Sequence, residues 1–335
     1  MIKKTVFGSF KNEDVYLYEL IGKSGLLVKI MNLGATVTSI RLPDSQGEEA
    51  EIVCGFNTLS EYLSDFYQSN YTYFGSTVGR VANRIKDGVL QIEGVKYQLD
   101  VNNGSNHLHG GISGFDRKVW ESEIIGDKVV MKLNVGHLED GYPGNISVIV
   151  SFEIIDDNSL AIKYSATTDQ STVISMTNHS YFNLSGFQEG VERHLLHVPS
   201  AGIITKDDSD CPIGIKEEIP PERNFNSPKP IGNVELDDFL VFPESNEPIR
   251  LVGALSFERL GRRIEVYSSE KGAQIYNSKY VSLGLSRSNT QRYRPGCAIC
   301  IETHDLPNLL GEYRSIMKPN DTYSAMTVYK FSWSV

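Results

Sequence analysis

The chain has 335 residues, 40% of them hydrophobic and 22% charged, with a formal net charge of −10. This is an ordinary globular composition that can bury a sizeable core, and the length suits two average domains or one large all-β domain. An acidic chain without a basic stripe repels polyanions, so nucleic acid is not an expected partner, while a neutral small molecule meets no such barrier.

The N-terminal stretch MIKKTVFGSFKNEDVYLYEL has no apolar run of signal-peptide length, and charges recur from Lys11 onward. Nowhere do about 18 apolar residues follow one another, so no transmembrane helix and no membrane partner are expected. Four cysteines in so long a chain do not make a disulfide framework. Reduced thiols and a cytoplasmic location are the expectation.

In chain order, the first turn signal is Asp44-Ser45-Gln46-Gly47. Thr58 to Phe66 (TLSEYLSDF) predicts a short helix capped by Asn57 or Thr58, with Glu61 completing a capping box. Asp87-Gly88 is a turn, and Leu90 to Leu99 (LQIEGVKYQL) alternates as a strand; Asn103-Gly104 turns the chain again. Val129 to Val135, Ile146 to Ile154 and Leu160 to Ala166 alternate with period two, with Asp156-Asp157-Asn158 between the last two. Tyr323 to Val335 (YSAMTVYKFSWSV) closes the series. No helical stretch of ordinary length, internal repeat or linker interrupts the pattern. The expected architecture is all-β: one domain over 1–335, a large antiparallel β-sandwich with few short helices.

Signatures of nucleotide cofactors and zinc proteases (G-x-G-x-x-G after a strand, a Walker A loop, H-E-x-x-H) are missing. Four polar clusters stand out instead: Gly79 to Ile85 (GRVANRI), Asn106 to Gly111 (NHLHGG), Asn178 to Leu184 (NHSYFNL) and Ile299 to Thr303 (ICIET). A lone strand histidine such as His179 is more often a satisfied core residue. Glu302 is harder to dismiss, because a carboxylate among Ile and Cys is costly to bury without a purpose. His107-x-His109 shares a strand face and raises a metal site, but no third ligand lies near in the sequence, so hydrogen bonding, to a ligand or within the core, is favoured. In Cys297-x-x-Cys300 the two sulfurs point to opposite faces of a strand, which favours two core thiols over a metal or redox site.

The ordered set GRVANRI, NHLHGG, GFDRKVW, DGYPGN, NHSYFNL and AICIET resembles the aldose 1-epimerase (galactose mutarotase) family, and the resemblance covers nearly the whole chain. The opening NLGATVTSIRLPDSQGEEAEIVCGFNTLSEYL and the closing KPNDTYSAMTVYKF extend it. It implies a mutarotase-type sandwich with an open cleft for a free aldose. It also implies Glu302 as catalytic base, His179 as catalytic acid, and Asn83, Arg84, His109, Asp237 and Gln274 as sugar ligands. Neither metal nor cofactor is implied, and the assembly is expected to be a monomer or homodimer. Two departures from the family pattern stand out. Asp238 follows Asp237 where a histidine is usual, leaving the choice between the two aspartates open. His304 follows Thr303 where glutamine is usual, and the loop 305–313, expected to border the cleft, is short. The alternatives are a hexose-6-phosphate epimerase, a noncatalytic carbohydrate-binding sandwich, and a glycosidase pairing Glu302 with Asp237 or Asp238.

Overall fold

A computed structural model describes residues 1–289, 291–309 and 315–333. Alternation of Val, Ile and Phe sets the strands. In Ile146–Ile155 the side chains of Ile146, Val148, Val150 and Phe152 are buried, and their neighbours are less so. This strand pairs antiparallel with Ser159–Thr168 through the expected Asp-Asp-Asn turn, where Asp156 and Asp157 both have positive φ, as a tight hairpin requires. The Asn158 side chain then donates to the Phe331 carbonyl at 2.7 Å, tying the hairpin to the C-terminal strand Tyr323–Trp333.

Among the described residues, three large antiparallel sheets dominate. A nine-stranded sheet is centred on Ser159–Thr168, Tyr323–Trp333 and Arg262–Ser268. A six-stranded sheet runs from Tyr181–Phe182 through Ile299–His304, Gly272–Tyr276 and Asp237–Val241 to Gly202–Lys206 and Pro212–Lys216. The N-terminal strands from Ile2–Phe10 to Ala50–Glu51 form a five-stranded sheet. Ile299 and Ile301 of the six-stranded sheet share one buried cluster with Leu255, Val266 and Tyr329 of the nine-stranded sheet and Val28 and Ile40 of the third. The architecture is all-β, as the alternation predicted.

Two local expectations are corrected. The segment from Leu90 to Leu99 is not one strand but a hairpin of Val89–Ile92 and Val95–Gln98, turned at Glu93-Gly94, both in left-handed conformation. The apolar positions step from even (Leu90, Ile92) to odd (Val95, Tyr97, Leu99) across Glu93-Gly94, and that change of phase is the mark of the turn. The helix from Thr58 to Phe66 is two shorter ones, Leu59–Tyr62 and Asp65–Ser69. The predicted Thr58–Glu61 capping box is present, but Ser64 starts a fresh N-cap by accepting from the Tyr67 amide, and the chain breaks there. Among the described residues, no helix is long and apolar enough to cross a membrane.

Candidate active site

The strand Ile299–His304 is buried along its whole length. Its period of two sends Ile299 and Ile301 into the main core and Cys300 and Glu302 to the opposite face. Register extends that second face sideways: Tyr181 and Tyr276 stand opposite Cys300, Gln274 opposite Glu302, and Asp237 opposite Tyr276. The face forms one wall of a cleft of about 410 Å³. His179, Asn83, Arg84, His109, Asp237, Gln274 and Glu302 all line it. Segments almost 220 residues apart in sequence thus meet, and all seven residues singled out by the family resemblance lie together.

Glu302 is 2% exposed. Its Oε1 lies 3.5 Å from Nε2 of His179, while its buried Oε2 has no hydrogen-bond partner. Burial, reinforced by the Asp237 charge, pushes the Glu302 carboxyl well above the usual carboxylate range, against the opposing pull of Arg84. His179 is held from the backbone, its amide donating to the Ser76 carbonyl at 2.9 Å. Its imidazole lies between Tyr181 and Tyr73, with centroids 4.9 and 5.7 Å away and rings tilted by only 14° and 10°. Burial pushes this histidine down to about 3. A nearby carboxylate raises an imidazole in water, but here desolvation of the buried ring wins. The pair therefore favours neutral partners over an ion pair.

His109 owes its place to backbone that leaves the strand His107–Leu108. Its own φ is +53°, and at Gly110 (φ +92°) a β-carbon would fall 1.8 Å from the Gly79 carbonyl oxygen, so only glycine fits. The Asn83 amide donates to Nδ1 of His109 at 3.2 Å, which leaves the ring proton on Nε2. Asn83 Nδ2 donates to Gln274 Oε1 at 2.9 Å, and Gln274 Nε2 donates to Asp237 Oδ1 at 2.7 Å. Arg84 is held by Asn103, Nε to Oδ1, at 3.0 Å. These bonds fix the floor of the cleft before any ligand arrives.

Asp237 and Asp238 separate as strand neighbours must. Asp237 lines the cleft, whereas Asp238 accepts from Arg223 Nε at 3.0 Å. Lys206 and Lys279 flank Asp237 at 4.0 and 3.7 Å, and Lys206 also reaches Asp210 at 3.1 Å.

Other expectations change. His107 and His109 do not share a face: His107 is fully buried between the Asp100 carbonyl (2.7 Å) and the Tyr142 hydroxyl (2.6 Å). The missing third ligand does exist in space, since His109, His179 and Glu302 offer ligand atoms within 4.8 Å of one another. The His109 tautomer opposes that use. A ligating imidazole offers a bare nitrogen to the metal and donates from the other, and here the Asn83 amide has taken the bare one. Arg80 is buried outside the cleft, donating to the Pro143 carbonyl at 2.8 Å. His304 is buried against Phe239, with its Nδ1 on the Asp305 carbonyl. The expectation for the loop 305–313 falls partly on residues 310–313, outside the described residues.

Sequence reasoning missed the aromatic wall of Tyr71, Tyr73, Tyr181 and Tyr276, and it missed Cys300, whose Sγ is 3.5 Å from Nδ1 of His179. The signal for Cys300 was available: two residues from Glu302 on a strand is the same face.

Known proteins share this sequence pattern and this fold. A family model described as aldose 1-epimerase matches residues 16–330. The chain belongs to the aldose 1-epimerase family. Galactose mutarotase of Sus scrofa is 31% identical over 322 residues, covering 92% of this chain and 91% of that one. Aldose 1-epimerase of Escherichia coli K12 is 29% identical, covering 94% of each. Among solved structures, the aldose epimerase homologue from C. elegans superposes with a TM-score of 0.84 at 28% identity, over 95% of this chain and 98% of that one. For galactose 1-epimerase from Lactobacillus acidophilus the TM-score is 0.85 at 23% identity, over 99% and 98%, which is a likeness of fold.

Proposed function

We propose that the chain interconverts the α and β anomers of free aldoses such as glucose or galactose, with Glu302 as base and His179 as acid. The observation that carries this reading is a carboxylate with an orphaned oxygen in a cleft wall, 3.5 Å from an imidazole clamped between two tyrosines. Core packing gives no reason to bury such a group.

Ring opening takes the proton of the anomeric hydroxyl to Glu302 and gives the proton of His179 Nε2 to the ring oxygen. The C1–O5 bond breaks as the C1 carbonyl forms. Rotation about C1–C2 and the reverse transfers close the other anomer. The pair holds one proton throughout: charged partners face the cyclic sugar, and neutral partners face the open-chain aldehyde. Burial favours the neutral partners. It therefore lowers the cost of the open-chain state, which water alone disfavours.

Asp237 takes sugar hydroxyls, and Arg84, Asn83, His109 and Gln274 complete the hydrogen bonding. His109, a donor at Nε2, suits a sugar oxygen. Asp237→Ala raises KM by about 10- to 100-fold, as expected for hydrogen bonds to a charged group. Asp238→Ala, which frees Arg223 outside the cleft, leaves KM within a few-fold. Steady-state kinetics of the two variants checks this, and the reverse order contradicts it.

No metal takes part in this chemistry, given the His109 tautomer. Full activity is expected after exhaustive chelation; stoichiometric metal whose removal abolishes turnover contradicts that. The hexose-6-phosphate alternative finds little support, since Lys206 and Lys279 are engaged by Asp237 and Asp210. A carbohydrate-binding protein without catalysis gives no account of Glu302. The unit is proposed to be the whole of 1–335, a monomer or homodimer acting in the cytoplasm.

Polarimetry of freshly dissolved glucose, galactose, xylose, arabinose and glucose 6-phosphate tests the proposal. Free aldoses are expected to reach equilibrium faster with enzyme, and nitrophenyl glycosides to stay intact. No acceleration with any aldose overturns it.

A further inference from the structure

The two carboxylate oxygens of Asp237 meet different partners. Oδ1 accepts from Gln274 Nε2 at 2.7 Å. Oδ2 has the ammonium groups of Lys279 at 3.7 Å and Lys206 at 4.0 Å, both beyond hydrogen-bond length. Each lysine is anchored elsewhere. Lys206 ends the neighbouring strand Gly202–Lys206; its Nζ donates to the Asp237 main-chain carbonyl at 2.6 Å and pairs with Asp210 at 3.1 Å. Lys279 lies 4.7 Å over the ring of Tyr280, whose amide donates to the Tyr276 hydroxyl at 2.8 Å. The two side chains are only 22% and 21% exposed, so water and salt screen these charges less than those of a surface lysine.

We infer that Lys206 and Lys279 are positioning residues for Asp237: they balance its charge from outside hydrogen-bond range and leave Oδ2 open to sugar hydroxyls. The inference rests on the sugar-binding role given to Asp237 in the proposed function. A lysine donating directly to Oδ2 would occupy the lone pairs that a hydroxyl needs. With no lysine near, the charge of Asp237 would add unopposed to that of Asp210 in the same cleft. It already bears on Glu302, two strands away. The other charged groups around this carboxylate are Arg84, which lines the cleft, and Asp238, which Arg223 engages. Lys279 stays an ammonium: burial opposes its charge, but Tyr280, Asp237 and Asp210 hold its pKa above the ordinary value.

Steady-state kinetics and calorimetric titration of the full chain with galactose or glucose test this. Lys279→Met keeps an apolar stem and removes the charge. It is expected to raise KM and the sugar Kd by about three- to tenfold, at or above the upper end for an exposed ion pair, with kcat within about twofold. The alkaline limb of kcat/KM should move up, because a less balanced Asp237 holds the last proton on the Glu302–His179 pair more tightly. Lys279→Arg, which keeps the charge, should recover the wild-type KM and limb. Lys206→Met also cuts the tie to the main-chain carbonyl and is expected to show the larger effect. The deciding measurement is a double-mutant cycle with Asp237→Asn. Lysines that act through Asp237 have little further effect on KM or Kd once that carboxylate is an amide. A lysine that touches the sugar itself, or merely packs, gives additive effects, and that result overturns the inference. So does a KM that falls in Lys279→Met, the sign of a lysine competing with sugar for Oδ2. Absence of turnover in the wild type overturns the proposed function instead, and the calorimetric cycle still decides the inference.

Discussion

Glu302→Gln lowers kcat by at least about 10²-fold, because the amide keeps the shape of the carboxylate and cannot accept the anomeric proton. The same variant is more stable than the wild type near neutral pH. Burial raises the Glu302 pKa in the folded state above its value in the unfolded chain. Such a group contributes stability fully present below the unfolded value, near 4.3, and lost as pH rises through the folded value. Glutamine is neutral at every pH and shows no such loss. The gain comes from the ionising carboxyl alone, since the amide is equally short of partners but carries no charge. It should widen between pH 5 and pH 8 in thermal melts. Near-normal turnover, or a stability difference that shrinks with rising pH, contradicts the role given to this carboxylate.

His179→Asn is the second large effect, a loss of roughly 10²–10⁴-fold together with a changed pH profile. In the wild type the active pair holds one proton, so its two limbs belong to the pair and not to either residue. The acid limb marks the entry of a second proton onto a ring that burial has pushed down to about 3, and lies correspondingly low. The alkaline limb marks loss of the last proton, which burial holds tightly on the pair. With asparagine only the Glu302 titration remains. The acid limb then moves up toward the raised value of that carboxyl, and the alkaline limb disappears. A variant that keeps the wild-type alkaline limb points to another acid, with His109 the first candidate because it lies within the same 4.8 Å cluster.

The fold was legible because it is repetitive: Ile146–Ile155, Ser159–Thr168 and Tyr323–Trp333 announce themselves by alternation, and one sheet holds all three. At Glu93-Gly94 the alternation slips by one residue, and reading the whole run as one strand overlooks that slip. The site was legible one residue at a time. Glu302 stood out as a charge in an apolar strand, and Asp237 separated from Asp238 once strand parity was known. What the sequence hid was assembly. The bond from Asn83 to His109 that sets a tautomer, the stacking of Tyr73 on His179, and the meeting of His109, His179 and Glu302 all join separate segments of the chain. The pKa directions follow from that assembly, burial lowering His179 and raising Glu302.

The central claim is that Glu302 and His179 together open and close an aldose ring without making a new product. Magnetisation exchange between the α and β anomeric protons of galactose or glucose, already at equilibrium, measures that event alone. The wild type is expected to accelerate the exchange by orders of magnitude at catalytic concentration, with no new resonances, while the folded Glu302→Gln, His179→Asn double variant leaves it at the uncatalysed rate. Exchange that the double variant still accelerates as well as the wild type does would contradict the account.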